Sequence, residues 1–149
     1  MEEAEPRSVL RLWTRAASRA PVEDRDVLEL AAGEGVVGDH TFGSKRHVTI
    51  VFEDDWQAAT DALGKDVDPS ARRANVLLSG GGGLAWIGRT IRLGDAVLEI
   101  RGETRPCHVM DEAAAGLQEA LGPEGRSGVW GVIVEGGQVA RAAAATLQD

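Results

Sequence analysis

Glycine punctuates this chain. Gly33-Glu34-Gly35, Gly80 to Gly83 and Gly136-Gly137 leave only short apolar runs between them. With 19 glycines and 5 prolines in 149 residues, the pattern favours short strands and many turns over a helical bundle.

The runs bear this out locally. Ser8 to Ala17 alternates loosely and reads as a strand with both faces partly covered. Val27 to Leu30, Asn75 to Leu78 and Val129 to Glu135 are further strands, and His47 to Phe52 is the most β-branched of them. Arg89 to Leu93 and Ala96 to Arg101, joined at Gly94-Asp95, predict a hairpin. Gln138 to Ala140 follows the Gly136-Gly137 turn. Residues 33–45 are a loop.

Two helices are expected. Glu53 to Leu63 carries Trp56, Ala59 and Leu63 at helical spacing, with acids in the first turn and Gly64 as its stop. Asp111 to Leu121 is alanine-rich, with Asp111 as cap and Gly122-Pro123 as its end. The tail, 141–149, predicts a third, short helix. The elements lack strict β-α-β alternation, so the fold class is mainly β (α+β), barrel-like rather than doubly wound. The length suits one domain over 8–149, and 43% hydrophobic residues suffice to fold it. Residues 1–7, mostly acidic, are expected to be disordered.

Charge and cysteine usage exclude several roles. A net charge of −8 disfavours nucleic-acid binding. The single cysteine rules out an intramolecular disulfide, and no zinc-ligand spacing is present. The N-terminus lacks a secretory pattern, and no apolar run approaches the ~20 residues of a membrane span. A soluble, cytoplasmic protein is the expectation.

Gly83 to Thr90 nearly spells a phosphate-binding loop, but Arg89 stands where Lys is needed and a strand-like pattern follows. Cys107 is a sharper signal. By default a lone cysteine is a small buried hydrophobe. Here Pro106 ends the preceding strand, a helix start follows, and Arg101, Arg105 and His108 are close in sequence. An exposed thiolate at an anion site is the competing reading.

Arg72, Arg73 and Asn75, the chain's only asparagine, stand at the mouth of an apolar strand. They form either a solvated, capped turn or an anion clamp, and spacing alone leaves both open. Asp39-His40 and Arg46-His47 form a third cluster. Asp39 either caps the turn after Gly38 or orients a neighbouring His or Arg. Two histidines seven residues apart across a loop do not make a zinc site.

These clusters occur in an order that resembles a stand-alone bacterial MOSC domain, the C-terminal domain type of molybdenum-cofactor sulfurases. The order runs Gly38-Asp39-His40, Arg46 to Ile50, Arg72 to Val76, Ile87-Gly88, Leu93 to Ala96, Pro106-Cys107, Gly128 to Val134 and Gly136-Gly137. The likeness spans roughly residues 8 to 140. It implies a mostly antiparallel β-barrel with two or three helices. It implies that Cys107 ligates molybdenum or carries sulfur. Arg73 and Asn75 would then bind the phosphate and pterin end of the molybdenum cofactor, with Arg72, Arg46, Asp39, His40 and Arg105 as further pocket positions. The family's link to pyridoxal phosphate runs through a separate desulfurase domain that this chain lacks. The usual Gly-Asp before the last strand is absent after Val139, which predicts an altered end to the barrel.

Three functions follow as expectations. The first is molybdenum-dependent reduction of N-hydroxylated or similar small molecules, with a redox partner supplying electrons. The second is a Cys107 persulfide carrier served by a cysteine desulfurase partner, for cofactor or metal–sulfur cluster sulfuration. The third is a non-catalytic anion-binding module.

Overall fold

The computed structural model describes residues 6–148. Of the residues expected to be disordered, 1–5 lie outside that range. Arg7 already belongs to the first strand.

Eleven strands and three short α-helices make up the described chain. The strands are β1 Arg7–Thr14, β2 Glu23–Arg25, β3 Val27–Ala31, β4 Gly35–Val36, β5 Val48–Phe52, β6 Val76–Leu78, β7 Thr90–Leu93, β8 Ala96–Glu103, β9 Val129–Glu135, β10 Gly137–Ala140 and β11 Ala144–Leu147. The helices are α1 Glu53–Leu63, α2 Val109–Ala113 and α3 Leu117–Ala120. Seven strands close a barrel in the order β11-β7-β8-β9-β5-β6-β1, and β1 pairs back onto β11. Strand β2 hangs on β1, and β10-β3-β4 form a separate small sheet. Closure leaves the seven barrel strands without an open seam.

All barrel pairings are antiparallel except β5 with β6, which is parallel. That pair needs a crossover, and α1 supplies it. The α1 prediction agrees with the structure at both ends: Gly64 adopts φ 75°, where a Cβ would be strained, and its N–H bonds back to Thr60 and Asp61.

Apolar side chains divide between two clusters. Val9, Leu12, Ile50, Phe52, Val76, Leu78, Leu98 and Ile100 lie in the first, which the small sheet shares. Trp13, Val51, Trp56, Leu77, Met110 and Leu117 lie in the second, against the helices. Alternation along β5 sends Ile50 and Phe52 one way and Val51 the other, so both of its faces are covered. On β1, Val9 and Leu12 share a cluster although three residues apart. A register shift between Val9 and Arg11 accounts for it.

Two sequence expectations are corrected. The helix expected over 111–121 is broken into α2 and α3: Ala114 is extended and Gly116 turns left-handed at φ 90°. Asp111 does not cap α2; its Oδ1 accepts the Gln118 N–H in the first turn of α3. The tail expected as a helix is β11, which pairs with β7 and β1 and closes the barrel. Its alanines suit that seam, because Ala145 is fully buried there. Among the described residues, no helix is long and apolar enough to cross a membrane.

Candidate functional site

The site is built on the 3-10 turn Pro69–Arg72, between α1 and β6. Asp68 caps this turn by accepting the Ser70 N–H, and it also receives both bonds of a bidentate pair from Arg11 Nη1. Burial alone would push the Asp68 carboxyl up; the bonds from Arg11 and Ser70 outweigh it and hold the group low. The turn ends with Arg73 in the left-handed region at φ 62°. That reversal sends Arg72 and Arg73 to different places.

Arg72 goes inward and is only 8% exposed. Its Nε donates to the Ser127 carbonyl at 2.6 Å. Thr104 Oγ1 donates to the same carbonyl, also at 2.6 Å. Thr104 begins the loop that ends at Cys107, and the Pro69–Arg72 turn packs on α2, which starts two residues later. Arg72 therefore lies beneath the cysteine loop. Among the described residues, neither of its Nη atoms has a hydrogen-bond partner and no carboxylate pairs with it. Burial pushes the guanidinium down to about 10; negative charge on Cys107 supports it, and Arg15 and Arg46 oppose it.

Cys107 is exposed. Its backbone carbonyl accepts from Met110 N–H at the start of α2. The helix start expected after Pro106 is a helix of five residues, too short for its dipole to favour a thiolate. The cations near the thiol are arginines instead.

Arg73 is held outside. Its Nη2 donates to the carbonyls of Ser18 (3.2 Å) and Ala20, in the loop after β1. It still feels Arg15, Arg19, Cys107 and Glu112. Arg15 Nη1 also bonds to the Ser18 carbonyl, and Arg19 forms a bidentate pair with Glu112 of α2. The 15–20 loop thus lies beside the cysteine. Arg46, just before β5, is exposed and stacks over the Trp130 ring at 5.4 Å.

The other expected residues make contacts within the protein. Asn75 is buried, and both ends of its side chain are bonded: Oδ1 accepts from the Thr49 N–H and hydroxyl, and Nδ2 donates to the Trp13 carbonyl. It ties β5, β6 and β1 together. Asp39 is also buried, accepting from the Arg15 N–H at 3.0 Å and from the Thr41 N–H and hydroxyl. This positions the backbone of Arg15. His40 donates its N–H to the Arg15 carbonyl, and the residue is exposed. Arg105 lines a depression of about 500 Å³ with Glu103, Pro106, Asp111 and Glu119.

Arg15 and Ser127 were not legible as site residues. Ser127 Oγ is buried without a partner, in the same residue whose carbonyl anchors Arg72. Neither residue sits in a recognisable motif, and only the fold brings them to Arg72. A lone buried cation with free N–H groups, further cations in range and an accessible thiol can bind a small anion and present it to a nucleophile.

The family model for the MOSC domain matches residues 37–142, well over half of the chain. Among solved structures, the YUAD protein from Bacillus subtilis is similar at TM-score 0.84 and 19% identity, over 96% of each chain. YiiM from Geobacillus stearothermophilus gives 0.78 at 13% identity, over 97% of this chain and 76% of that one. YiiM from Escherichia coli gives 0.74 at 16%, over 98% and 71%. At these identities the likeness is one of fold. No curated protein matches the chain in sequence.

Proposed function

Because the chain belongs to the MOSC domain family, we propose that it binds an anionic cofactor, the molybdenum cofactor, at Arg72 and Cys107 and acts in reductive chemistry on N-hydroxylated or similar small molecules. One observation carries the reading: a buried guanidinium with two free Nη atoms, no carboxylate partner, and an accessible thiol in its field. A buried charge without a partner is costly, and an anion would offset that cost.

The donor set fits such a group. Arg72, with Arg15 and Arg46, would hold the cofactor's phosphate, and Cys107 would be the thiolate ligand. Ser127, whose carbonyl holds Arg72, has a buried Oγ without a partner. When bound, the cofactor supplies two-electron chemistry at its metal. The chain's own part is to neutralise the phosphate and to present one soft ligand. A redox partner would supply electrons.

Anaerobic purification, with and without added cofactor, followed by molybdenum and pterin assay tests this. Near-stoichiometric metal in wild type, lost in Cys107→Ala, is expected. No metal or pterin in either preparation overturns it.

The exposure of Cys107 favours a second reading, a persulfide carrier that exchanges sulfur with a partner protein. An added sulfur on Cys107 in intact mass spectra, absent from Cys107→Ser, supports it. Failure of Cys107 to alkylate in the folded protein sinks it. Anion binding with neither metal nor sulfur chemistry would leave a binding module alone.

A further inference from the structure

We infer that the depression beside Arg105 binds a free basic α-amino acid of the lysine type, with its carboxylate on Arg105 and its cationic groups on Glu103, Asp111 and Glu119. This inference does not depend on the cofactor reading above and makes no use of the thiol.

The depression has a volume of about 500 Å³ and is lined by Glu103, Arg105, Pro106, Asp111, Gln118 and Glu119. Sites for small ligands run from about 300 to 1,000 Å³. Glu103 ends β8, Asp111 lies on α2, and Gln118 and Glu119 lie on α3. The walls are anchored from beneath. Thr104 is 2% exposed; its Oγ1 donates to the Ser127 carbonyl and its N–H to the Gly128 carbonyl. Pro106 steers the backbone of Arg105 away from the helical region. On the other wall, Asp111 Oδ1 accepts the Gln118 N–H and clips α2 to α3, while Leu117 and Leu121 bury α3 against the core.

Charges of both signs share this depression without neutralising one another. Among the described residues, no ion pair or hydrogen bond joins the Arg105 guanidinium to Glu103, Asp111 or Glu119, and the carboxylates of Glu103 and Glu119 accept no hydrogen bond. Elsewhere Arg19, Arg101 and Arg141 each close on a carboxylate. Here the anchored walls keep the opposite charges apart, and a ligand that spans the gap can meet both. Three carboxylates stand around one guanidinium, so the matching ligand carries more positive than negative charge. A basic α-amino acid has two cationic groups and one carboxylate. A diamine offers nothing to Arg105, and a neutral amino acid leaves carboxylates unanswered. A guanidinium fork and a carboxylate are geometrically matched, which sets the ligand's orientation.

The test titrates the full-length chain at low salt with L-lysine, with cadaverine, which lacks the carboxylate, and with Nε-acetyl-lysine, which lacks the side-chain charge. Backbone amide NMR shifts are the readout. L-lysine should give saturable shifts at Arg105, Gln118 and Glu119, with Kd about 1 mM or tighter. Each analogue should bind roughly tenfold more weakly. Arg105→Ala should abolish the preference for L-lysine over cadaverine. Glu119→Gln should reduce the preference for L-lysine over Nε-acetyl-lysine. Both positions are exposed, and unchanged spectra away from the depression verify the fold. Absence of saturable shifts with L-lysine up to ~10 mM would overturn the inference. Equal binding of cadaverine and L-lysine by wild type would reduce the site to general attraction of cations and overturn it too. Preferences unchanged in both variants would show that the ligand sits elsewhere.

Discussion

Arg72 and Thr104 donate to one acceptor, the Ser127 carbonyl, at 2.6 Å each. Arg72 ends the turn before β6, and Thr104 opens the cysteine loop. One carbonyl therefore fixes the cation and the thiol-bearing segment relative to each other. The first prediction concerns that cation.

Arg72→Met should separate binding from stability. The guanidinium is buried without a carboxylate, and burial lowers its proton affinity, so its charge costs stability at neutral pH. The lost bond to Ser127 is partly covered by Thr104. Urea unfolding should place the variant within about 1.5 kcal/mol of wild type. Sulfate protection of Cys107 against alkylation should weaken about tenfold or more. Strong destabilisation with intact protection would reverse the assignment.

Asn75→Ala should behave oppositely. It strands the Thr49 N–H and the Trp13 carbonyl among three strands. The expected loss is about 2–4 kcal/mol by urea titration. The variant's folded fraction should keep sulfate protection of Cys107. Loss of protection with normal stability would make Asn75 a ligand residue after all.

Gly128→Ala tests the carbonyl that joins the two halves of the site. Gly128 has φ +101°, and an added Cβ would stand 2.1 Å from the Ile50 carbonyl oxygen. The backbone beside Ser127 must shift to relieve this. A loss of about 3 kcal/mol or more is expected from thermal or urea unfolding. A variant as stable as wild type would contradict this packing.

His47 gives a pH dependence. Its Nδ1 accepts the Ile133 N–H at 2.9 Å, so the ring is held neutral. Burial, then the charge of Arg101, holds its proton affinity below the ordinary value of 6.5. A lowered folded value means that the folded state binds fewer protons. The stability it contributes is complete above about pH 6.5 and is lost as pH falls through the lower folded value. Urea curves at pH 8 and pH 5 should show a larger drop for wild type than for His47→Gln. Equal drops would show that His47 does not carry the effect.

The site was legible in part. Cys107 was placed from Pro106, because proline ends a ladder wherever it falls, and the structure finds the thiol exposed in that loop. Arg72, Arg73 and Asn75 were found as a group, but their division of labour was not. It depends on the left-handed turn at Arg73, on Ser127 below and on the carbonyls of Ser18 and Ala20 outside. Arg15 left no sequence signal, since its position depends on buried Asp39 holding its backbone from 24 residues away.

By itself the sequence determined the elements whose cause is local. β-branched alternation made β5, helical spacing with Gly64 made α1, and Gly94-Asp95 made the β7–β8 hairpin. The tertiary structure alone decided that the alanine-rich tail is the strand that closes the barrel. Alanine favours a helix on its own, and here pairing with β7 and β1 and burial of Ala145 override that preference. It alone also decided which arginine turns inward. Dihedral preferences and periodicity act between neighbours, whereas the direction of a charge is set by whatever distant segment supplies its acceptor. For Arg72 that acceptor is the carbonyl of Ser127, 55 residues along the chain.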